Sequence, residues 1–478
     1  MDTASFQFVL FGLLVALVSN LSRSPFWRSL VLLAATLYFL YVLAVNPIVL
    51  LPLAGFLALG YFGLFLLQRG VRKSLVWFIL VVVFAYIWLK KYTILPDGFF
   101  LHTPYFTLGL SYIFFRVLHL LIESGDGNER RTIGPLRYLL YTLNFTTFVS
   151  GPIQRYDDFA ADQFAPDPPP LGPKVVGLQL ERIVRGFFKV NVLALLLNAF
   201  QLDALVQISQ PLPITFKMWA AFRIAVIYPF FIYCNFSGYI DIVIAIARLM
   251  RLRLPENFNR PFSASSFLEF WNRWHITLST WLKNYVYNPL LLALMRRITS
   301  RTLEPFLGVF CFFVTFFLVG VWHGRTSEFL FYGVLQGAGM AANKLWQLAL
   351  AGALGRKPYK ALAKNPFYLA FGRGLTFTWF AFTLFWFWGD WSKINKVLSA
   401  LQIQQWALVS LAIWLSSTLI LASWEWLRAA LLSIRTSEGS VLLSRYARVA
   451  YASALGLAAV VITLLLNQPA PGIVYKAF

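Results

Sequence analysis

Apolar runs of bilayer-spanning length recur from one end of this 478-residue chain to the other. They fall at about residues 6–21, 29–44, 47–67, 75–89, 104–122, 136–153, 183–200, 219–250, 305–322, 327–350, 374–389, 405–427 and 449–466. A helix needs roughly 20 apolar residues to cross the hydrocarbon core, where every backbone N–H and C=O must find its partner within the chain. The repetition predicts an all-α, polytopic transmembrane helical bundle. Composition agrees, with 59% hydrophobic and 13% charged residues against the roughly 25% charged of soluble domains. The first run has Asp2 in place of a basic n-region and no small-residue cleavage site before Leu21, so it reads as a span and not a secretory leader.

The net charge of +22 is spread over short loops and does not suggest a nucleic-acid partner; membrane lipids are the expected surroundings. By the positive-inside rule, Arg23 and Arg28, then Arg69, Arg72 and Lys73, then Arg130, Arg131 and Arg137, and later Arg356, Lys357, Lys360, Lys364 and Arg373 mark cytoplasmic loops. That places the N-terminus outside and the Arg428–Arg448 loop inside. Lys90 and Lys91 fall on the wrong side, and Arg182, Arg185 and Lys189 interrupt an apolar run. Cys234 and Cys311 sit in apolar helices, where thiols behave as small hydrophobes. No metal-ligand cluster is expected.

No internal repeat is visible. "APDPPPLGP", 165–173, is a stiff connector that must lie outside the hydrocarbon. It divides helices of residues 1–160 from a more polar group at 174–350, and 374–478 follows as ordinary spans; these are packing groups of one bundle.

Residues 233–289 are the least lipid-like part, holding Asn235, Asp241, Glu256, Asn257, Asn259, Arg260, Glu269, Asn272, Arg273 and His275. Charges facing lipid cost several kcal/mol, so these side chains face the bundle interior, water or the interface. Pro255, Pro261 and the small residues 263–266 break helix, which predicts re-entrant or broken helices around a central tunnel. "SSFLEFWNRWHITLSTWL", 265–282, then reads as one continuous helix capped near Ser266, with Glu269 as in a capping box and His275 sharing a face with Trp271, Leu278 and Ser279. On these residues alone His275 is either a hydrogen-bonded histidine of an interfacial helix or a functional group. His323, in "GVWHG", is either a helix-end cap or a general base, with Gly320 and Gly324 leaving room for a substrate. Of the other two histidines, His102 lies in a loop and His119 reads as a packed helix residue.

"NFSGYIDIVIAI", "LPENFNRPFSASSFLEFWNRWHITLSTWL" and "GVWHG" occur in that order. Together they resemble the membrane-bound O-acyltransferase family, in its bacterial branch of alginate O-acetylation and teichoic acid D-alanyl transfer proteins. The resemblance covers roughly 105–345, where "LGLSYIFFRVLHLLIE" and "FTTFVSGPIQRYDDF" are closer to the D-alanyl transfer members. It implies that His323 is the catalytic base and His275 its polar partner, which with Asn272 would orient the acyl group or hydrogen-bond the oxyanion. Asn272, Trp274, Trp322 and Ser279 are expected to line the substrate tunnel. One departure stands out: Gln336 occupies the place of a further His-Gly common in bacterial members. Glutamine exchanges no proton near neutral pH, so Gln336 is expected to be a bystander.

The implied reaction moves an acyl group from a cytoplasmic thioester to a hydroxyl of an extracytoplasmic polysaccharide or other envelope acceptor, in a multi-pass protein of the inner membrane. No bound cofactor is expected. The donor is an acyl carrier protein or an acyl-coenzyme A acting as co-substrate, and an extracytoplasmic accessory acyltransferase is a candidate partner. A transporter or flippase, or a scaffold of a polysaccharide export complex, is the alternative. The pair His275 and His323 discriminates, because a transporter needs no titrating base there.

Overall fold

The structure, a computed structural model, describes residues 5–44, 46–101, 103, 105–125, 132–300, 302–433, 445–466 and 471–472. His102, Arg130, Arg131 and residues 434–444 of the Arg428–Arg448 loop lie outside the described residues. The described residues are 78% helical and contain no strand, only an isolated antiparallel bridge between Phe258 and Trp274. Eight helical stretches among them are long and apolar enough to cross a bilayer: Pro25–Leu43, Pro47–Gln68, Arg72–Leu89, Pro173–Ile208, Ile214–Leu249, Glu304–His323, Ile403–Leu431 and Tyr446–Leu465. This is the expected all-α, multi-pass membrane protein. It forms two compact units, one of Met1–Val190, Phe236–Glu256 and Gly472–Phe478, the other of Asn191–Asn235 and Asn257–Pro471.

The first unit begins with α1 (Phe6–Ser19) and α2 (Pro25–Leu43), followed by α3 (Leu51–Gln68), α4 (Leu75–Leu89), α5 (Leu110–Gly125), α6 (Pro135–Thr142), α7 (Tyr156–Gln163) and α8 (Pro173–Phe188). Ser5 caps α1 by accepting the Phe8 N–H at 3.2 Å, and Pro25 opens α2 where its missing N–H costs nothing. Phe8, Phe39, Phe145 and Phe148 form the aromatic core, with Phe39 5.9–6.2 Å from the other three rings.

The apolar run at 136–153 does not become a span. Helix α6 stops at Thr142, and the backbone continues as a buried irregular segment. Asn144 Oδ1 turns the chain by accepting the N–H and hydroxyl of Thr146 at 3.1 and 2.9 Å. The buried guanidinium of Arg116, on α5, donates to the carbonyls of Tyr141, Thr142 and Thr147 at 3.4, 2.8 and 2.6 Å. Irregular backbone survives at membrane depth only when protein groups satisfy it, and an arginine has donors enough for the task. His119 plays the packed part expected of it, its Nε2 accepting the Tyr156 N–H at 3.1 Å. Arg28 is not a loop charge: it is buried on α2 and donates to the carbonyls of Asp162 and Ala165.

The three cations that interrupt an apolar run are explained by one face of α8. Helix α8 continues through a π-helical turn at Lys189–Ala194 into α9 (Leu195–Ile208). Helix α10 (Ile214–Leu249) carries Asp241, which accepts from Arg182 at 2.9 Å and Lys189 at 2.8 Å and lies 3.6 Å from Arg185. Arg182 also grips Glu256 with two bonds of 2.7 and 2.6 Å. The approach of the two helices is close enough that a Cβ on Gly186 would come 2.6 Å from the Gly238 carbonyl oxygen. Small residues let backbones meet, and the charges that follow are paired rather than lipid-facing.

The second unit holds α9, the first part of α10, then α11 (Phe267–Trp271), α12 (Ile276–Leu282), α13 (Asn288–Arg297), α14 (Glu304–His323), α15 (Ser327–Leu354), α16 (Arg356–Leu362), α17 (Pro366–Thr383), α18 (Phe385–Trp388), α19 (Trp391–Leu398), α20 (Ile403–Ser433) and α21 (Arg445–Leu466). Helices α14 and α15 pack at backbone distance. A Cβ on Gly333 would stand 2.5 Å from the Phe317 carbonyl oxygen, and one on Gly337 2.6 Å from that of Phe313. Gly320 meets the Gly333 backbone and Gly324 meets the Phe329 ring. The glycines flanking His323 are thus helix-packing positions, not the empty space expected of them, and they fix where α14 delivers its last residue.

Candidate active site

The continuous helix expected over 265–282 breaks in the middle. Ser266 caps α11, its hydroxyl accepting the Glu269 N–H at 3.2 Å. The Glu269 carboxylate reaches back to the N–H and hydroxyl of Ser265 at 2.8 and 2.9 Å and pairs with Arg273 at 2.6 Å. After Asn272 the helix gives way, and His275 takes up φ 44°, ψ 51°, in the left-handed region. Residues 257–259 cause this by drawing the chain out of helix. Asn259 N–H donates to the Arg273 carbonyl at 2.9 Å, Ile276 N–H donates to the Asn257 carbonyl at 3.0 Å, and Phe258 bridges to Trp274. Pro255 and Pro261 flank that segment, and neither ring nitrogen has an N–H to give a helical ladder.

Asn257 is fully buried, and its side-chain oxygen is the hub of the junction. It lies 3.1 Å from the Thr277 N–H donor, 2.9 Å from the Thr277 hydroxyl and 3.2 Å from His275 Nδ1. His275 in turn closes the first turn of α12, its carbonyl accepting the Ser279 N–H at 3.0 Å. Trp274, beside it, is locked in an aromatic nest with Phe258, Phe270 and Phe380 at 5.1, 5.6 and 5.2 Å between centroids.

His323, the last residue of α14, is also buried. Its ring lies 4.8 Å from that of Trp322, and the His275 ring lies 6.1 Å from the same indole at 70°. Two buried imidazoles from separate segments therefore come close to one tryptophan. Phe387 and Tyr332 complete the wall around His323, at 5.1 and 5.9 Å.

Of the residues singled out in the sequence, the fold brings together His275, His323 and Trp322, with Trp274 adjacent in the chain. Asn272 is exposed at the C-terminal end of α11, and Ser279 is half-buried with its hydroxyl turned 3.4 Å from the Trp274 carbonyl. Gln336 is fully buried and bonded to Trp271 and Thr383. Asn257 and Thr277 were missed. Their signal was present in "PENFNRP", a polar residue between two prolines in a segment too polar for lipid, yet nothing in a linear pattern shows that it meets a histidine 18 positions later. A cavity of about 210 Å³ lies elsewhere in this unit, lined by Ser265, Asn343, Gln347, Tyr359, Tyr368 and Thr376 among others, and neither histidine borders it.

A buried imidazole pair at the junction of a broken helix, within a bundle of apolar spans, is the setting for proton transfer away from bulk water. The model of the membrane-bound O-acyltransferase family matches residues 58–369, more than half of the chain and the whole of this junction, and the protein belongs to that family. Among its relatives, the teichoic acid D-alanyltransferase of Streptococcus thermophilus is 31% identical over 241 residues, half of this chain and 57% of that protein. The teichoic acid D-alanyltransferase of Bacillus subtilis is 28% identical over 48% of this chain and 56% of its own. The probable alginate O-acetylase AlgI of Pseudomonas fluorescens is 30% identical over 59% of this chain and 54% of its own. The match thus spans little more than half the length of each of these relatives.

Proposed function

We propose that the protein transfers an acyl group from a cytoplasmic thioester to a hydroxyl of an extracytoplasmic polysaccharide or other cell-envelope acceptor. The observation that carries this reading is the pair of buried imidazoles, His275 and His323, both within 6.1 Å of the Trp322 ring. A neutral imidazole accepts a proton near pH 7. As the acceptor oxygen attacks the thioester carbonyl, its proton passes to the pair; the C–S bond then breaks and the departing sulfur takes the proton back. The products are the ester and a free thiol, and the histidines end as they began. The thioester is activated on arrival, so these steps require neither a metal nor a covalent enzyme intermediate.

The donor is an acyl carrier protein or acyl-coenzyme A. Both are anionic, which suits the basic loops. The protein resides in the inner membrane, and an extracytoplasmic accessory acyltransferase finishes the delivery. The relatives named for teichoic acid and alginate support a polymer hydroxyl as the destination.

The test is His323→Ala expressed in a deletion strain, with alkali-labile ester on the envelope polymers as the readout. Ester should vanish while the protein persists in the membrane at wild-type level. Wild-type ester content in that strain would sink the reading.

A further inference from the structure

We infer that the cavity of about 210 Å³ between α15, α16 and α17 binds an anionic phospholipid whose headgroup is an uncharged polyol, of the phosphatidylglycerol class. Neither histidine borders this cavity, so the lipid is a bound ligand and not the acyl acceptor. The inference stands whether or not the acyl-transfer reading does.

Between Glu328 and Asp390 the chain carries six cations and no acid. Four of the six, Arg356, Lys357, Lys360 and Lys364, lie on α16 or just after it, where they are exposed and form no ion pair among the described residues. Arg356 stands one turn before Tyr359 and Lys360 one turn before Ala363, and Tyr359 and Ala363 both line the cavity. Residues three apart share a helix face, so two cations rim the opening. The interior, by contrast, is polar and uncharged. Asn343 and Gln347 reach it from α15, Tyr359 from α16, and Tyr368 and Thr376 from α17. Thr376 is 6% exposed, and among the described residues its hydroxyl, the Gln347 amide and the Tyr359 hydroxyl have no hydrogen-bond partner. Asn343 Oδ1 accepts the Leu268 N–H and Tyr368 Oη accepts the Trp346 indole N–H, both at 3.1 Å. That leaves the Asn343 N–H₂ and the Tyr368 O–H to give.

Buried hydroxyls and amides call for polar partners, and a polyol supplies them without bringing a charge into an uncharged interior. A phosphodiester belongs at the rim, against Arg356 and Lys360. A free phosphate uses only half of this arrangement, because at the rim it leaves the hydroxyls unmet and inside it meets no cation. An ammonium headgroup would set one more cation beside four others. The pantetheine arm of a thioester donor has to reach the histidines, which lie off this cavity. The lipid assignment also accounts for the apolar part of the wall, where Trp346, Phe371 and Leu375 are 55, 46 and 53% exposed. Trp and Tyr beside Lys mark the headgroup level of a bilayer, and a basic cluster next to a span draws anionic lipid. Ser265 and Ser266 form part of the same wall, and Ser266 caps α11. A bound headgroup therefore braces the helix that leads into the histidine junction.

The experiment titrates the purified full chain in a neutral detergent with phosphatidylglycerol, phosphatidic acid or phosphatidylcholine in mixed micelles. Native mass spectrometry counts bound lipid, and the thermal midpoint is followed in parallel. Phosphatidylglycerol should saturate at a single molecule per chain, raise the midpoint and bind tighter than either other lipid. Arg356→Gln combined with Lys360→Gln should weaken it roughly 30-fold, about fivefold for each cation near the surface. Tyr359→Phe combined with Thr376→Val removes two hydroxyls and no charge. It should weaken phosphatidylglycerol about tenfold and leave phosphatidic acid, which has the phosphate without the glycerol headgroup, where it was. Equal loss of both lipids in that variant, or equal binding of all three lipids by the wild type, overturns the inference. Should the hydroxyl variant fail to fold, the wild type decides alone, since phosphatidic acid binding as tightly as phosphatidylglycerol or tighter means that the cations merely gather charge. Displacement of phosphatidylglycerol by an equal concentration of coenzyme A or glycerol 3-phosphate assigns the cavity to a soluble phosphate and overturns it as well.

Discussion

Gln336→Leu separates a structural bridge from a catalytic group. Gln336 is fully buried on α15; its Oε1 accepts the Trp271 indole N–H at 3.2 Å and its Nε2 donates to Thr383 Oγ1 at 2.8 Å, tying α11 and α17 to α15. Leucine fills nearly the same volume and makes neither bond. Thr383 still donates its own hydroxyl to the Phe380 carbonyl at 2.8 Å, so on that side the loss is a single ordinary hydrogen bond, about 1 kcal/mol. Trp271, 2% exposed, is left with a buried unpaired N–H, a further cost of about 1–3 kcal/mol. The sum is roughly 2–4 kcal/mol, toward the low end because a chain unfolded in detergent also finds partners.

Thermal unfolding of the purified protein in detergent reads the stability term. Acyl transfer well below the midpoint reads the catalytic one, and it should fall tenfold or less, ~1.4 kcal/mol of transition-state stabilisation. A variant that unfolds at the wild-type temperature yet is as inactive as His323→Ala would refute the reasoning and put the amide among the reacting groups.

Asp241→Asn removes the carboxylate shared by Arg182, Arg185 and Lys189 and should destabilise by about 3–5 kcal/mol, seen as a collapse of folded yield at 37 °C; wild-type yield and midpoint would show that the cluster is solvated. His275→Asn, which hydrogen-bonds but exchanges no proton, should keep partial acyl transfer where His323→Ala keeps none, measured by thiol release; complete loss would show that His275 titrates. Gly333→Leu should prevent α14 and α15 from closing, since even a Cβ there stands 2.5 Å from the Phe317 oxygen, and size-exclusion chromatography should show aggregate where the wild type elutes as one peak. Burial opposes the charge on Glu269, but the Ser265 N–H and hydroxyl and the Arg273 guanidinium outweigh it and hold the carboxyl below its ordinary range. A lowered carboxyl stabilises above its unfolded pKa of about 4.3 and loses that contribution as pH falls through the folded value. Thermal midpoints of wild type and Glu269→Gln should therefore converge on acidification below that point.

Much of the scaffold is legible from length and hydropathy, because a bilayer leaves a helix few alternatives. The runs at 29–44, 305–322 and 405–427 became α2, α14 and α20. The run at 136–153 failed where apolar content was met by Asn144, Thr146 and Thr147, residues that turn a backbone as readily as they extend a helix, and where Arg116 arrived from α5 to satisfy the carbonyls. Arg182, Arg185 and Lys189 looked misplaced because their partners, Asp241 and Glu256, lie more than fifty positions on. Pairing across such distances leaves no local trace.

The histidines were legible as candidates; the shape of their junction was not. From 265 to 282 the helical spacing is unbroken, and the Ser266 cap formed as its sequence implied. What breaks the helix is a competing set of partners from 257–259, whose groups take the Arg273 carbonyl and the Ile276 and Thr277 N–H. Left-handed backbone at a non-glycine residue costs roughly 1–3 kcal/mol and persists only when its surroundings over-determine it. Here the bonds that over-determine the backbone at His275 end on Asn257, the residue that also faces Nδ1 of the imidazole. A straight helix would have given His275 an ordinary place on a face with Trp271 and Ser279; the break that Asn257 imposes instead brings its ring to 6.1 Å from that of Trp322.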